Sequence, residues 1–135
     1  MRISVICPNK AEFAMRSHLA VLAVALFSAC PASAQEFVPV SDEAAFLSLL
    51  DRRELRLGVL GLALSVNPDG TIIGAAAGFE VTGSWTWQDG YFCREMDWSG
   101  TEIPYNCQLV EVSGTDVMRF TVDQGAGDAA EFNLR

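Results

Sequence analysis

The chain is poor in the side chains on which most enzymes depend. It has one lysine, Lys10, and one histidine, His18, both within the first 34 residues. Without histidine there is no Ser-His-Asp or Cys-His constellation and no ordinary zinc site in the remainder. Without lysine there is no Schiff base and no P-loop. Cysteine is scarce too: Cys7 and Cys30 come early, Cys93 and Cys107 late, and no C-x-x-C spacing suggests a redox pair. Positive charge is thin, since residues 35–135 carry six arginines against sixteen carboxylates, a balance of −10. Such a surface repels phosphate backbones and anionic lipid, which argues against nucleic-acid and membrane-surface partners. No apolar run reaches the ~20 residues needed to cross a bilayer.

The longest apolar run, residues 19–29 (LAVLAVALFSA), has eleven residues and reads as the core of a secretory signal peptide. It follows Arg16 and precedes Ala32-Ser33-Ala34, an A-x-A cleavage site. Cleavage after Ala34 would leave residues 35–135 as a single domain, periplasmic or secreted. Met15 would make a tidier start than Met1. A lipid-modified Cys30 fits less well, because Phe27 stands three positions before it, where leucine is preferred. Cys93 and Cys107 then remain and are expected to pair, as cysteines of exported domains do. A closed loop of this length contributes roughly 3 kcal/mol in the chain-entropy model.

What the sequence does hold is concentrated between Val81 and Cys107, VTGSWTWQDGYFCREMDWSGTEIPYNC, with all three tryptophans and both tyrosines. Residues 81–87 alternate: Val81, Gly83, Trp85 and Trp87 on one face, Thr82, Ser84 and Thr86 on the other. Period two with aromatic and β-branched residues is a strand signature. Asp89-Gly90 supplies a turn and Tyr91 to Trp98 the partner strand. A two-residue loop would set Trp87 opposite Phe92 and Cys93 on the Thr/Ser face. A three-residue loop from Gln88 to Gly90 would set Trp87 opposite Tyr91 and Trp85 opposite Cys93. The second is favoured, because it places the cysteine on the tryptophan face, where a disulfide is shielded.

In chain order, an extended lead is followed by a helix capped by Ser41 or Asp42 and running to about Asp51. Phe46, Leu47 and Leu50 form its apolar stripe, suited to covering one end or edge of a sheet. Residues 55–66 read as one or two strands with Leu60, Leu62, Leu64 and Val66 on one face. Asn67-Pro68-Asp69-Gly70 is a turn, and residues 71–76 return antiparallel. Gly74, Gly78 and Gly83 mark bends where a sheet curls. Residues 99–105 read as a loop, 107–113 and 117–123 as strands, 124–128 as a flexible connection, and 129–134 as the last strand. Seven or eight short strands without intervening helices predict a mainly β fold, a small antiparallel meander or barrel with one N-terminal helix and one disulfide.

The candidate ligand- or partner-binding residues are the aromatics and cation of the hairpin: Trp85, Trp87, Tyr91, Phe92, Arg94 and Trp98. Arg94 is placed to stack on Phe92 or Trp98. If the helix covers this surface, the cluster is core; if it stays open, it asks for a ligand or partner. Glu95 and Asp97, two apart on one strand face, resemble a glycosidase carboxylate pair, but acidic residues on the outer face of a strand are commonplace in so acidic a domain, and a solvated face is the preferred explanation. Asp123, Asp128 and Glu131 form a weak calcium candidate without EF-hand spacing. No resident cofactor or metal is expected. The glycine-rich segment 70–78 is no dinucleotide site, since it lacks G-x-G-x-x-G and a surrounding βαβ unit.

Gly83-Ser84-Trp85 resembles the G-x-W of lipocalin-like barrels. With Cys93 and Cys107 it is more similar to small secreted barrels that inhibit alkaline metalloproteases of Gram-negative bacteria. In those inhibitors an N-terminal segment enters the protease cleft, and residues 35–42 occupy the same place here. The whole pattern, from PDGTI through GSWTWQDGYFCREMDW and IPYNCQLVE to MRFTVDQGAGD, resembles a family of small exported alphaproteobacterial proteins sometimes labelled dihydrodipicolinate reductase. The residues offer no nucleotide fold and no lysine or histidine for that reduction. The expected function is therefore a non-enzymatic binding module for a small apolar ligand or a protein partner. The alternative is a protease or hydrolase inhibitor acting through its N-terminal segment.

Overall fold

Period-two alternation recurs in short runs along residues 33–135, the part described by the computed structural model. The expected signal peptide except its last two residues, the alternative start at Met15, and Cys30 lie outside the described residues. Nine strands form: β1 Val38–Pro39, β2 Leu55–Leu57, β3 Leu62–Val66, β4 Thr71–Ala76, β5 Phe79–Gln88, β6 Tyr91–Trp98, β7 Thr101–Ser113, β8 Val117–Thr121 and β9 Ala129–Leu134. One helix, α1 Glu43–Leu50, precedes β2. All pairings are antiparallel, β2 pairs with β9, and β8 pairs with both β9 and β7. Strands β2 to β9 therefore close into an eight-strand barrel, and β1 adds to β7 as a ninth strand. The count exceeds the expected seven or eight because part of the extended lead pairs.

Three hairpins use two-residue X-Gly loops: Ala77-Gly78, Asp89-Gly90 and Ser99-Gly100. Both residues of each have positive φ, at Asp89-Gly90 +52° and +85°. That is type I′ geometry, whose twist matches the flanking strands. It corrects the favoured register: Trp87 pairs with Phe92, Trp85 with Arg94 and Thr86 with Cys93. Trp85, Trp87, Phe92, Arg94, Met96 and Trp98 thus share the inward side, while Tyr91 and Cys93 share the outward one. Cys93 is nonetheless buried, disulfide-bonded to its direct cross-strand neighbour Cys107, with the Tyr105 hydroxyl 3.4 Å from Cys107 Sγ. Shielding did not require the tryptophan face.

Residues 101–105 belong to β7 rather than to a loop. Pro104 is accommodated because it sits where the β6–β7 register slips between Arg94 and Met96, a bulge in which its missing N–H is not needed. Segment 55–66 divides into β2 and β3 around a 3₁₀ turn at Gly58–Leu60, so Leu60 leaves the expected inner stripe and is half exposed. Residues 124–128, expected to be flexible, are ordered by backbone bonds from Val122 N to Asp128 O and from Gly127 N to Val122 O. The Asn106 side chain clasps this connection through Asp123 Oδ1 (2.7 Å) and Asp123 N (3.0 Å).

Asp42 caps α1 by accepting a bond from Ala45 N at 2.8 Å, which holds its carboxyl below the usual range. Phe46 and Leu50 are buried, and Phe46 reaches into the barrel end among Trp85, Trp87, Phe92 and Phe120. Around them the core gathers Leu55, Leu64, Ile72, Val81, Val110 and Met118.

Two glycines allow neighbouring strands to approach where a side chain would not fit. A Cβ on Gly74 would lie 2.0 Å from Ala63 O, and one on Gly83 would lie 2.4 Å from Glu95 O. Backbone atoms cannot yield as side-chain tips can. Gly74→Ala is expected to cost at least about 1–3 kcal/mol. Gly58→Ala, where a Cβ meets nothing within 4 Å, should stay within about 0.5 kcal/mol. Equal melting temperatures for the two variants would refute this account of the close approach.

Candidate functional site

An eight-strand barrel is wide enough either to be filled by its own side chains or to hold one small ligand. This one does both. At the helix end, Phe46 and its four aromatic neighbours, with ring centroids 5.2–6.3 Å away, pack the interior shut. Beyond them lies a cavity of about 270 Å³. Its apolar wall comes from Leu55, Leu64, Ile72, Phe92, Met96 and Phe132. The alternation of β2, β3, β4, β6 and β9 turns these side chains inward. The cavity reaches solvent where β8 passes to β9, beside Asp128 and Ala129. Ala130, opposite inward-facing Phe120, is itself exposed, because the lumen in front of it is open.

Three polar side chains interrupt this wall: Arg94, Gln108 and, at the rim, Asp128. Arg94 projects from β6 between Phe92 and Met96, is half-buried, and donates from Nη1 to Pro104 O at 3.0 Å. Burial lowers its pKa from the ordinary value, as expected for a cation drawn out of water. Gln108 is the only buried polar residue among the described residues. It pairs with Phe92, as Asn106 does with Arg94, so Gln108 and Arg94 are diagonal neighbours on the inner surface. Diagonal Cβ atoms sit roughly 7–8 Å apart, within reach of one small group held between them.

Of the residues singled out in the sequence, Phe92 and Arg94 line the cavity. Trp85 is buried and Trp87 largely so, both against Phe46, and the Trp85 indole donates to Asn67 O at 2.9 Å. Trp98 lies partly exposed at the barrel end away from the helix, donating to Ala76 O. Tyr91 faces outward. Arg94 stacks on neither Phe92 nor Trp98; the cation–π contact among the described residues is Arg119 over Phe37, at 3.9 Å. Glu95 and Asp97 face outward beside a shallow depression, and Asp97 accepts the Gly100 N–H of the turn. Asp123, Asp128 and Glu131 do not come together: Asp123 bonds Asn106, Asp128 sits at the cavity rim, and Glu131 lies 4.0 Å from Arg119. No group of three acidic, cysteine or histidine side chains able to hold a metal occurs among the described residues. The lead is docked rather than free, with β1 on β7, Val40 N bonded to Val110 O, and Val40 buried.

Gln108 was missed because it reads as an ordinary strand residue. The signal was there in the alternation Gln108, Val110, Val112, which turns all three inward once the two valines are placed in the core.

Compared with protein-family models, curated proteins and solved structures, the chain matches none.

Proposed function

We propose that this domain is a non-enzymatic binding module, exported to the periplasm or beyond, that holds a small apolar ligand in the barrel lumen. The observation that carries the reading is the 270 Å³ cavity, apolar in wall, sealed at one end by Phe46 and open at the other. It lies just below the roughly 300–1,000 Å³ of drug-sized sites, which favours a compact guest. A disulfide suits an oxidising compartment. The inhibitor reading has less support, since Val38 and Pro39 are strand-paired and Val40 is buried rather than available to a cleft.

Titration with octan-1-ol, followed by methyl NMR, tests the proposal. Saturable shifts are expected at the methyls of Leu55, Leu64 and Ile72, with none at Val59, which is 92% exposed. Ala130→Phe, which adds a ring to the open wall, should abolish them. Failure of the wall methyls to show any saturable response would end the reading.

A further inference from the structure

An apolar cavity needs no cation in its wall, and a half-buried one is costly unless something pairs with it. Arg94 is unlike the other arginines of the described chain. Arg53, Arg56 and Arg119 have carboxylate partners in Asp116, Glu54 and Glu111. Arg52 and Arg135 are exposed. Arg94 alone is both drawn into the protein and without a carboxylate within 4.0 Å among the described residues. Its single hydrogen-bond partner among the described residues is a backbone carbonyl, Pro104 O, which leaves most of the guanidinium's five donors uncommitted. Gln108, the only buried polar residue among the described residues, stands diagonally beside it and adds amide donors to the same wall.

We infer that the lumen takes an amphiphile with a short apolar body and one carboxylate head, the body lying against Leu64, Ile72 and Phe132 and the head held by Arg94 and Gln108. This rests on the lumen being a ligand site, as proposed above, and adds the chemistry of the guest. A guanidinium presents paired N–H groups that match the two oxygens of a carboxylate, and such charge-assisted bonds strengthen where water is excluded. The cavity, about 270 Å³, holds about the volume of nine water molecules at ~30 Å³ each, room for a chain of about eight carbons with its head at the wall rather than for a long-chain lipid. Asp128, at the exposed rim, opposes an anion. Its position selects against guests carrying a second negative charge at the far end.

The test uses the oxidised protein and three probes with one chain length: octanoate, octan-1-ol and octylammonium, each measured by calorimetry. Octanoate should bind at least about tenfold more tightly than octanol, the difference made by one charge-assisted hydrogen bond. Octylammonium should bind more weakly than octanol. Arg94→Gln should erase the octanoate advantage and leave octanol affinity unchanged. Gln108→Leu, a variant that keeps the cation, should reduce the advantage without removing it, and it serves if Arg94→Gln does not fold. Asp128→Asn should tighten octanoate alone. Equal binding of octanoate and octanol, or a preference that survives Arg94→Gln, would overturn the head-group inference while leaving the lumen site standing. If none of the three binds, the lumen reading falls and this inference with it.

Discussion

Phe46→Ala is expected to cost the domain about 3–5 kcal/mol, the range for truncating a fully buried phenylalanine. Phe46 has no exposed surface and lies within 5.2–6.3 Å, centroid to centroid, of Trp85, Trp87, Phe92 and Phe120. Its loss has two consequences at once. The removed ring leaves a void among side chains that cannot all collapse into it. The helix also loses its main anchor, and eight residues capped by Asp42 are too few to be helical alone. For a domain of this size the melting temperature should fall by more than about 12 °C, at 4–8 °C per kcal/mol. Tryptophan emission should shift to the red as water reaches Trp87. A variant that melts within a few degrees of the parent with unchanged emission would show that α1 does not plug the barrel.

Removing the disulfide is the second large effect. The Cys93→Ala/Cys107→Ala double variant should lose roughly 3 kcal/mol, as the chain-entropy model gives for a loop of about fifteen residues. The position of the bridge adds a local reason. It joins directly paired residues of β6 and β7 just beyond the bulge at Pro104, where the ladder is interrupted between Arg94 and Met96. Without it, the register of the strands that carry Arg94 and Gln108 rests on hydrogen bonds alone. Amide exchange in β6 and β7 should therefore rise more than in β3 and β4. A denaturation midpoint unmoved by the double substitution would refute the stabilising role assigned to the bridge.

Much of this was legible in the residues. Alternation marked β4, β5, β6 and β8 within a residue or two, Asn67-Pro68-Asp69-Gly70 and Asp89-Gly90 marked two of the turns while those at Ala77-Gly78 and Ser99-Gly100 went unread, and the two late cysteines were expected to pair with each other. These are local matters of φ/ψ preference, side-chain period and the short list of sulfur partners. The helix start at Ser41 or Asp42, where Asp42 does the capping, and the stripe of Phe46, Leu47 and Leu50, with Leu47 only partly buried, belong with them.

The tertiary structure decided what distance along the chain conceals. Because side chains alternate, the one-residue difference between loop lengths at Asp89-Gly90 moved Cys93 and Tyr91 to the outward side and brought Phe92 and Arg94 to the lumen. Neither loop was excluded by the local sequence; packing of Trp87 and Phe92 against Phe46, some forty residues away, is compatible with only one. Barrel closure through β8 likewise depends on long-range pairing, and so does the pocket. Arg94, Gln108 and Phe132 become neighbours of one space only when three separate strands have been wound around it. Alternation says that a residue points to a side, and closure alone says which side is enclosed.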